Sequence, residues 1–121
     1  MQSFLDRRFA ALADPTRRAM LLRLAKGEAD VSSLARPFLR RMSLPAVTKH
    51  VRVLERAGLI TKKRAAQRRP CRLNAAALQD VEAWTEHCRS YFEASLDRLD
   101  AYLKTVSAAS KTSNPSHAAE T

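Results

Sequence analysis

Apolar positions recur along this chain at spacings of three and four, the pattern of helices that each bury one face. Phe4, Leu5, Phe9 and Leu12 form the first such stripe and predict a helix over 3–12. Asp14-Pro15 reads as a helix cap followed by proline in the first helical position, where its missing N–H costs nothing. This second helix is expected to run to Lys26, with Met20, Leu21 and Leu24 inward, and to stop at Gly27. Val31, Leu34, Ala35 and Phe38 suit a short third helix that Pro37 ends or distorts. Ser43 caps a fourth, with Pro45 in its first turn and Met42 and Val47 at the two positions of a hydrophobic staple. Val47, Val51 and Leu54 mark its inward face, and Gly58 closes it.

Beyond Gly58 the pattern shortens. Leu59–Arg64 and Cys71–Leu73 are each long enough for one short strand, joined by a basic loop through Ala65-Ala66-Gln67-Arg68. Alternation turns Cys71 and Leu73 inward and Arg72 outward. Asn74 then caps a long helix, with Leu73 and Leu78 placed for a second staple. Its stripe of Val81, Trp84, Cys88, Phe92, Leu96, Leu99, Leu103 and Val106 covers about seven turns. That is more than a monomer of this size needs for its own core, so part of it is expected to pack on a second copy. Residues 1–106 read as one domain, and 107–121, rich in Ser, Ala and Thr without periodicity, as a disordered tail. Two helices joined by a short turn and followed by a basic two-stranded loop describe a winged helix-turn-helix, mainly α with a two-stranded β-wing.

Composition narrows the functions. With 121 residues and 45% apolar content the chain suits one ordinary globular domain. Two glycines argue against a hairpin-rich β domain and against a glycine-rich phosphate loop. No run approaches the roughly 18 apolar residues of a membrane span. The first residues carry charge rather than a leader's apolar core, and two cysteines do not make a disulfide scaffold. A cytoplasmic protein without a membrane partner is expected.

Charge changes the picture most. The net +10 is concentrated: residues 1–35 carry +2 and 73–121 carry −3, while 36–72 set twelve Lys/Arg against Glu55 alone, for +11. Basic surfaces normally interleave acids, and a membrane-bound basic helix would set Trp, Phe or Leu opposite its charges. Nucleic acid is the better partner, and the exposed face of the fourth helix suits a groove of double-stranded DNA. With Val47 inward, Pro45, Lys49, Arg52 and Arg56 lie around the outer face of the fourth helix, flanked by Ala46 and Thr48. Small Ser43 and Ala46 permit close approach to a groove. Thr48 can donate and accept, and Lys49 and Arg52 can reach phosphates or guanine edges. The helix N-terminus offers further backbone donors to a phosphate.

Two runs resemble a known family. Phe9-Ala-Ala-Leu-Ala-Asp-Pro-Thr-Arg-Arg18, with Leu21, Leu22 and Leu24, looks like the opening of ArsR/SmtB-type repressors. Met42-Ser-Leu-Pro-Ala-Val-Thr-Lys-His-Val-Arg-Val-Leu-Glu-Arg-Ala-Gly-Leu-Ile60 looks like their recognition helix and first wing strand. The resemblance spans roughly residues 4–104. It implies a homodimeric DNA-binding repressor joined through its terminal helices, with Phe4, Leu5, Phe9, Trp84, Cys88, Phe92, Leu96, Leu99 and Leu103 at the interface. The positions matching the family's DNA-reading face are Ser43, Pro45, Ala46, Thr48, Lys49 and Arg52. His50 matches a common family histidine but lies about 60° from Val47, at the core edge, so it reads as a structural hydrogen-bonding residue or a base contact. Arg40 and Arg41, in a turn longer than in many relatives, join the DNA-contact set. So do Arg64, Arg68 and Arg69 of a wing that lacks the usual tip glycine.

Many such repressors sense metals. Where a Cys-x-Cys pair is frequent this chain has Asp30 and Ser32, and the last helix holds a single histidine, His87, without the acids of the other common site. Neither metal nor another cofactor is expected, and no effector is identified. Cys71 and Cys88 read as inert hydrophobes or as a redox switch whose thiols Arg69, Arg72 and Arg89 could activate. The function expected is a repressor reading a near-palindromic operator. The alternatives are a redox-responsive repressor and a non-sequence-specific architectural DNA binder. No nucleophile–base pair or paired carboxylates suggest an enzyme.

Overall fold

In a computed structural model, residues 3–63 and 69–113 are described, with side chains as far as 109. The order is α1 (Phe4–Leu12), α2 (Pro15–Ala25), β1 (Ala29–Asp30), α3 (Val31–Ala35) running into a 3-10 turn (Arg36–Phe38), α4 (Leu44–Arg56), β2 (Ile60–Lys62), β3 (Pro70–Leu73) and α5 (Ala75–Ser113). The chain divides after Glu82 into two compact units.

Local chemistry at the helix ends explains the first unit. Ser3, Asp14, Asp30 and Ser43 each accept a backbone N–H from the residue three positions on, capping α1, α2, α3 and α4. The last turn of α1 has no basic residue of its own. Two arginines of α2 serve it instead: Arg17 donates to the Ala11 carbonyl at 2.7 Å and to Ala10 at 3.1 Å, and Arg18 to Leu12 at 2.9 Å. The Asp-Pro-Thr-Arg-Arg run thus starts one helix and finishes the one before it.

The core is the inward face of these helices. Met20, Leu34, Val47, Val51, Leu54, Leu59, Ile60 and Cys71 are fully buried, so the stripes of α2 and α4 point as their periodicity requires. Met42, Leu73 and Leu78 of the two staples pack against this core, with Val47 inside it. Pro37 turns the end of the third helix into a 3-10 turn rather than stopping the chain. Residues 39–41, which make this connection longer than in many relatives, are held by Phe38, whose carbonyl accepts from Arg41 and Met42 at 3.0 Å each.

The sheet differs from the expected pair. It has three strands in the order β1-β3-β2, all antiparallel. Ala29 and Asp30 supply the extra strand by pairing with Cys71 and Pro70. Beside it, Ile60, Thr61 and Lys62 pair with Leu73, Arg72 and Cys71. Asn74 ties this sheet to the end of α4, its N–H donating to Leu59 and its side-chain amide to the Gly58 carbonyl at 2.8 Å.

The second unit is the greater part of α5. Phe92, Leu96, Leu99, Leu103 and Val106 all lie exposed along it. Ion pairs Arg89–Glu86 and Lys104–Asp100 run along the same helix. The helix continues past Val106 to Ser113, so the first part of the expected tail, 107–113, is helical; 114–121 lie outside the described residues. No helix among the described residues is long and apolar enough to cross a membrane.

Candidate nucleic-acid interface

The outer face of α4 is set by what its inner face buries. With Val47, Val51 and Leu54 wholly enclosed, Ser43, Pro45, Lys49, Arg52 and Arg56 are exposed and Ala46 and Thr48 half-buried. Arg40 and Arg41 are exposed in the turn just before the helix. All the α4 positions proposed from sequence therefore share one accessible side, except His50.

Two details of that face differ from expectation. The Thr48 hydroxyl donates to the Leu44 carbonyl at 3.0 Å, so it offers an outside group its acceptor lone pairs rather than a donor and an acceptor. The helix N-terminus is also a poorer anion site than its dipole suggests. Pro45 has no N–H and Ser43 Oγ takes that of Ala46 at 3.3 Å, leaving the first turn at most the Leu44 donor for a phosphate.

Beside α4 the wing forms a cleft of about 410 Å³ lined by Thr48, Arg52, Glu55, Lys62, Lys63 and Arg69. Four cations thus surround one acid. Glu55 spends itself on Lys62 at 3.7 Å, an ion pair that links α4 to β2. Arg69 opens onto this cleft; Arg64 and Arg68 lie outside the described residues. Lys62 and Lys63 were counted in the charge run but not singled out by sequence. Their place beside Arg52 follows from the antiparallel return of β2, which the run of apolar positions does not specify. Arg72 is exposed on β3 and pairs with Glu28 at 3.5 Å.

His50 sits at the core edge, as its wheel position requires. Its Nδ1 lies 3.0 Å from Arg17 Nη1 and 4.0 Å from Asp14 Oδ2. Burial pushes the Asp14 carboxyl up, but the Arg17 and Thr16 backbone N–H groups and the charges of His50 and Arg17 outweigh it and hold it below the ordinary 3.8. Nothing in the sequence pattern marked Arg17 as a partner of His50.

The cysteines are unlike in setting. Cys71 is fully buried on β3, and burial pushes its thiol up; the charge of Lys62 opposes this, while Glu55 and Asp30 add to it. Of the three arginines expected to activate a thiol, two are engaged elsewhere, Arg72 with Glu28 and Arg89 with Glu86, and Arg69 opens onto the cleft. Cys88 is exposed on α5. Asp30, at a position where metal-sensing relatives often hold cysteine, accepts the Ser33 N–H at 2.8 Å as the α3 cap. Among the described residues no three His, Cys, Asp or Glu side chains cluster as metal ligands.

A family model described as a helix-turn-helix domain matches residues 12–63, from the end of α1 through β2. The chain is 41% identical over 91 residues to the HTH-type transcriptional regulator Rv2034 of Mycobacterium tuberculosis, covering 71% of this chain and 83% of that one. It is 34% identical over 76 residues to the transcriptional repressor SdpR of Bacillus subtilis, covering 63% and 82%. Among solved structures, the crystal structure of an ArsR family transcriptional regulator superposes with a TM-score of 0.70 at 42% identity, covering 75% of this chain and 98% of that one.

Proposed function

We propose that this chain, which belongs to the ArsR family of winged helix-turn-helix transcriptional regulators, is a homodimeric repressor that reads a near-palindromic operator through α4. The family is one of DNA-binding regulators, not enzymes. The observation that carries the reading is the pairing of a small-residue, cationic α4 face with the cationic cleft beside it, both outside a fully buried apolar seam. Ser43, Pro45, Ala46, Thr48, Lys49 and Arg52 face the major groove, Arg40 and Arg41 approach the backbone before the helix, and Arg64, Arg68 and Arg69 hold phosphates beside it. Lys62 and Lys63 join this set.

The exposed α5 stripe supports pairing with a second copy, with Trp84, Cys88, Phe92, Leu96, Leu99 and Leu103 in the seam and Phe4, Leu5 and Phe9 of α1 contributing. Two α4 helices then enter successive major grooves about 34–36 Å apart. Repression follows from occupying promoter DNA in the cytoplasm.

The test is a footprint on DNA upstream of the protein's own gene, followed by competition with bulk DNA. Lys49→Ala and Arg52→Ala are expected each to weaken operator binding about 5- to 100-fold and to flatten the salt slope. An affinity ratio near one between promoter fragment and bulk DNA would favour an architectural role instead.

A further inference from the structure

We infer that Arg17 and His50 are positioning residues for the recognition helix, and that His50 does this as a hydrogen-bond acceptor at Nδ1. The inference rests on the reading that α4 carries the operator contacts. A guanidinium has donors only. The 3.0 Å contact from Arg17 Nη1 therefore requires a bare Nδ1, which places the imidazole proton on Nε2.

The reason this contact sets geometry lies in what else holds α4. Val47, Val51 and Leu54 hold it by apolar burial, which is strong but has little directional preference. Rotation about the helix axis is then limited by polar ties. Among the described residues, two hydrogen bonds reach α4 and its cap from the helices before it. Arg8 of α1 donates from Nε to the Ala57 carbonyl at 3.0 Å, at the C-terminal end. Arg17 of α2 reaches His50 in mid-helix, between the DNA-facing Lys49 and Arg52. Arg17 is itself fixed, since two more arms of its fork end on the Ala10 and Ala11 carbonyls. A side chain clamped at three points transmits the position of α1 to the middle of α4. Base readout tolerates errors of only about 0.5 Å or 10–20°, so losing this tie costs discrimination before it costs attraction.

The charged groups against His50 are Arg17 of α2 and Asp14, the α2 cap, whose carboxylate lies 4.0 Å from Nδ1, while Lys49 and Arg52 lie on its own helix.

The experiment uses the full chain and measures the ratio of operator to bulk-DNA affinity for the parent, His50→Asn and His50→Phe. Asparagine sets an acceptor oxygen where Nδ1 stood; phenylalanine fills the space without one. The ratio is expected to fall about tenfold or more in His50→Phe and to stay within about threefold in His50→Asn. Equal ratios in the two variants overturn the inference. If His50→Phe does not fold, the ring tautomer alone decides. Long-range proton–nitrogen NMR of the His50 ring gives a readout free of DNA: an unprotonated Nδ1 at neutral pH supports the inference, and a proton there overturns it. A parent that shows this tautomer but no operator preference contradicts the operator reading alone.

Discussion

The Arg8 guanidinium passes so close to Gly58 that a side chain begun at residue 58 would stand 3.2 Å from Arg8 Nη2. Gly58 also has φ +73°, the left-handed conformation that ends α4. The same arginine donates to the Ala57 carbonyl and pairs with Asp80 at 2.5 Å, so the turn leaving the recognition helix is tied to α1 and to the start of α5. Gly58→Ala is expected to destabilise the fold by about 1–2 kcal/mol through backbone strain, with the crowding of Arg8 added. Urea unfolding followed by circular dichroism measures this. An unchanged midpoint would show that the turn relaxes without cost.

Asp14 links stability to acid. Its folded pKa lies below the ordinary 3.8. Its charge therefore contributes stability that is complete above the unfolded value and is lost as pH falls through the folded one. Asp14→Asn keeps a competent cap but removes the charge. The variant is expected to be less stable than the parent at neutral pH, with the gap closing below about pH 4. Asp14→Ala also loses the cap, about 1 kcal/mol more. Urea midpoints from pH 7 to below pH 3 test both, and a gap that widens in acid would contradict the sign.

Ser43 has two roles that substitution can separate. As the α4 cap it accepts the Ala46 N–H, so Ser43→Ala is expected to cost about 1 kcal/mol. Ser43→Asp keeps the cap and sets a carboxylate on the face proposed to meet phosphates. Its urea midpoint should match the parent's while its DNA affinity falls tenfold or more. Parental affinity in a stable Ser43→Asp variant would place the DNA elsewhere.

The exposed seam of α5 predicts a mass. The parent is expected to sediment as a dimer and to melt at a temperature that rises with protein concentration. Phe92→Glu with Leu99→Glu should sediment as a monomer while Cys71 stays shielded from alkylation, since its burial belongs to the first unit. Dimeric behaviour in the double variant would move the interface off this stripe.

What could be read from the sequence was whatever local chemistry decides. Asp14-Pro15, Ser43 and the two glycines act within one helical turn, and each does what its type suggests. Val47, Val51 and Leu54 needed only their spacing. Strand β1 escaped because two residues have no period, and their pairing depends on Pro70 and Cys71, far along the chain. The arms of Arg17 escaped for the same reason: a fork that reaches Ala10, Ala11 and His50 joins segments no window spans. The apolar stripe stops at Val106, seven residues before α5 itself ends at Ser113. Helix needs no buried face where nothing breaks it, and Ser107 to Asn114 contains neither glycine nor proline.

The pairing of Ala29 with Cys71 joins positions 42 apart, with α3, α4 and β2 strung between them. Closing so long a loop costs entropy that is recovered only when the intervening helices are already compact. The joining of β1 to β3 is therefore expected to follow the packing of α3 and α4, whereas β2 and β3 close a much shorter loop. Strand β1 is thus expected as a late addition, in time, to a helical core already packed. Hydrogen exchange should show β1 opening at lower free energy than α4.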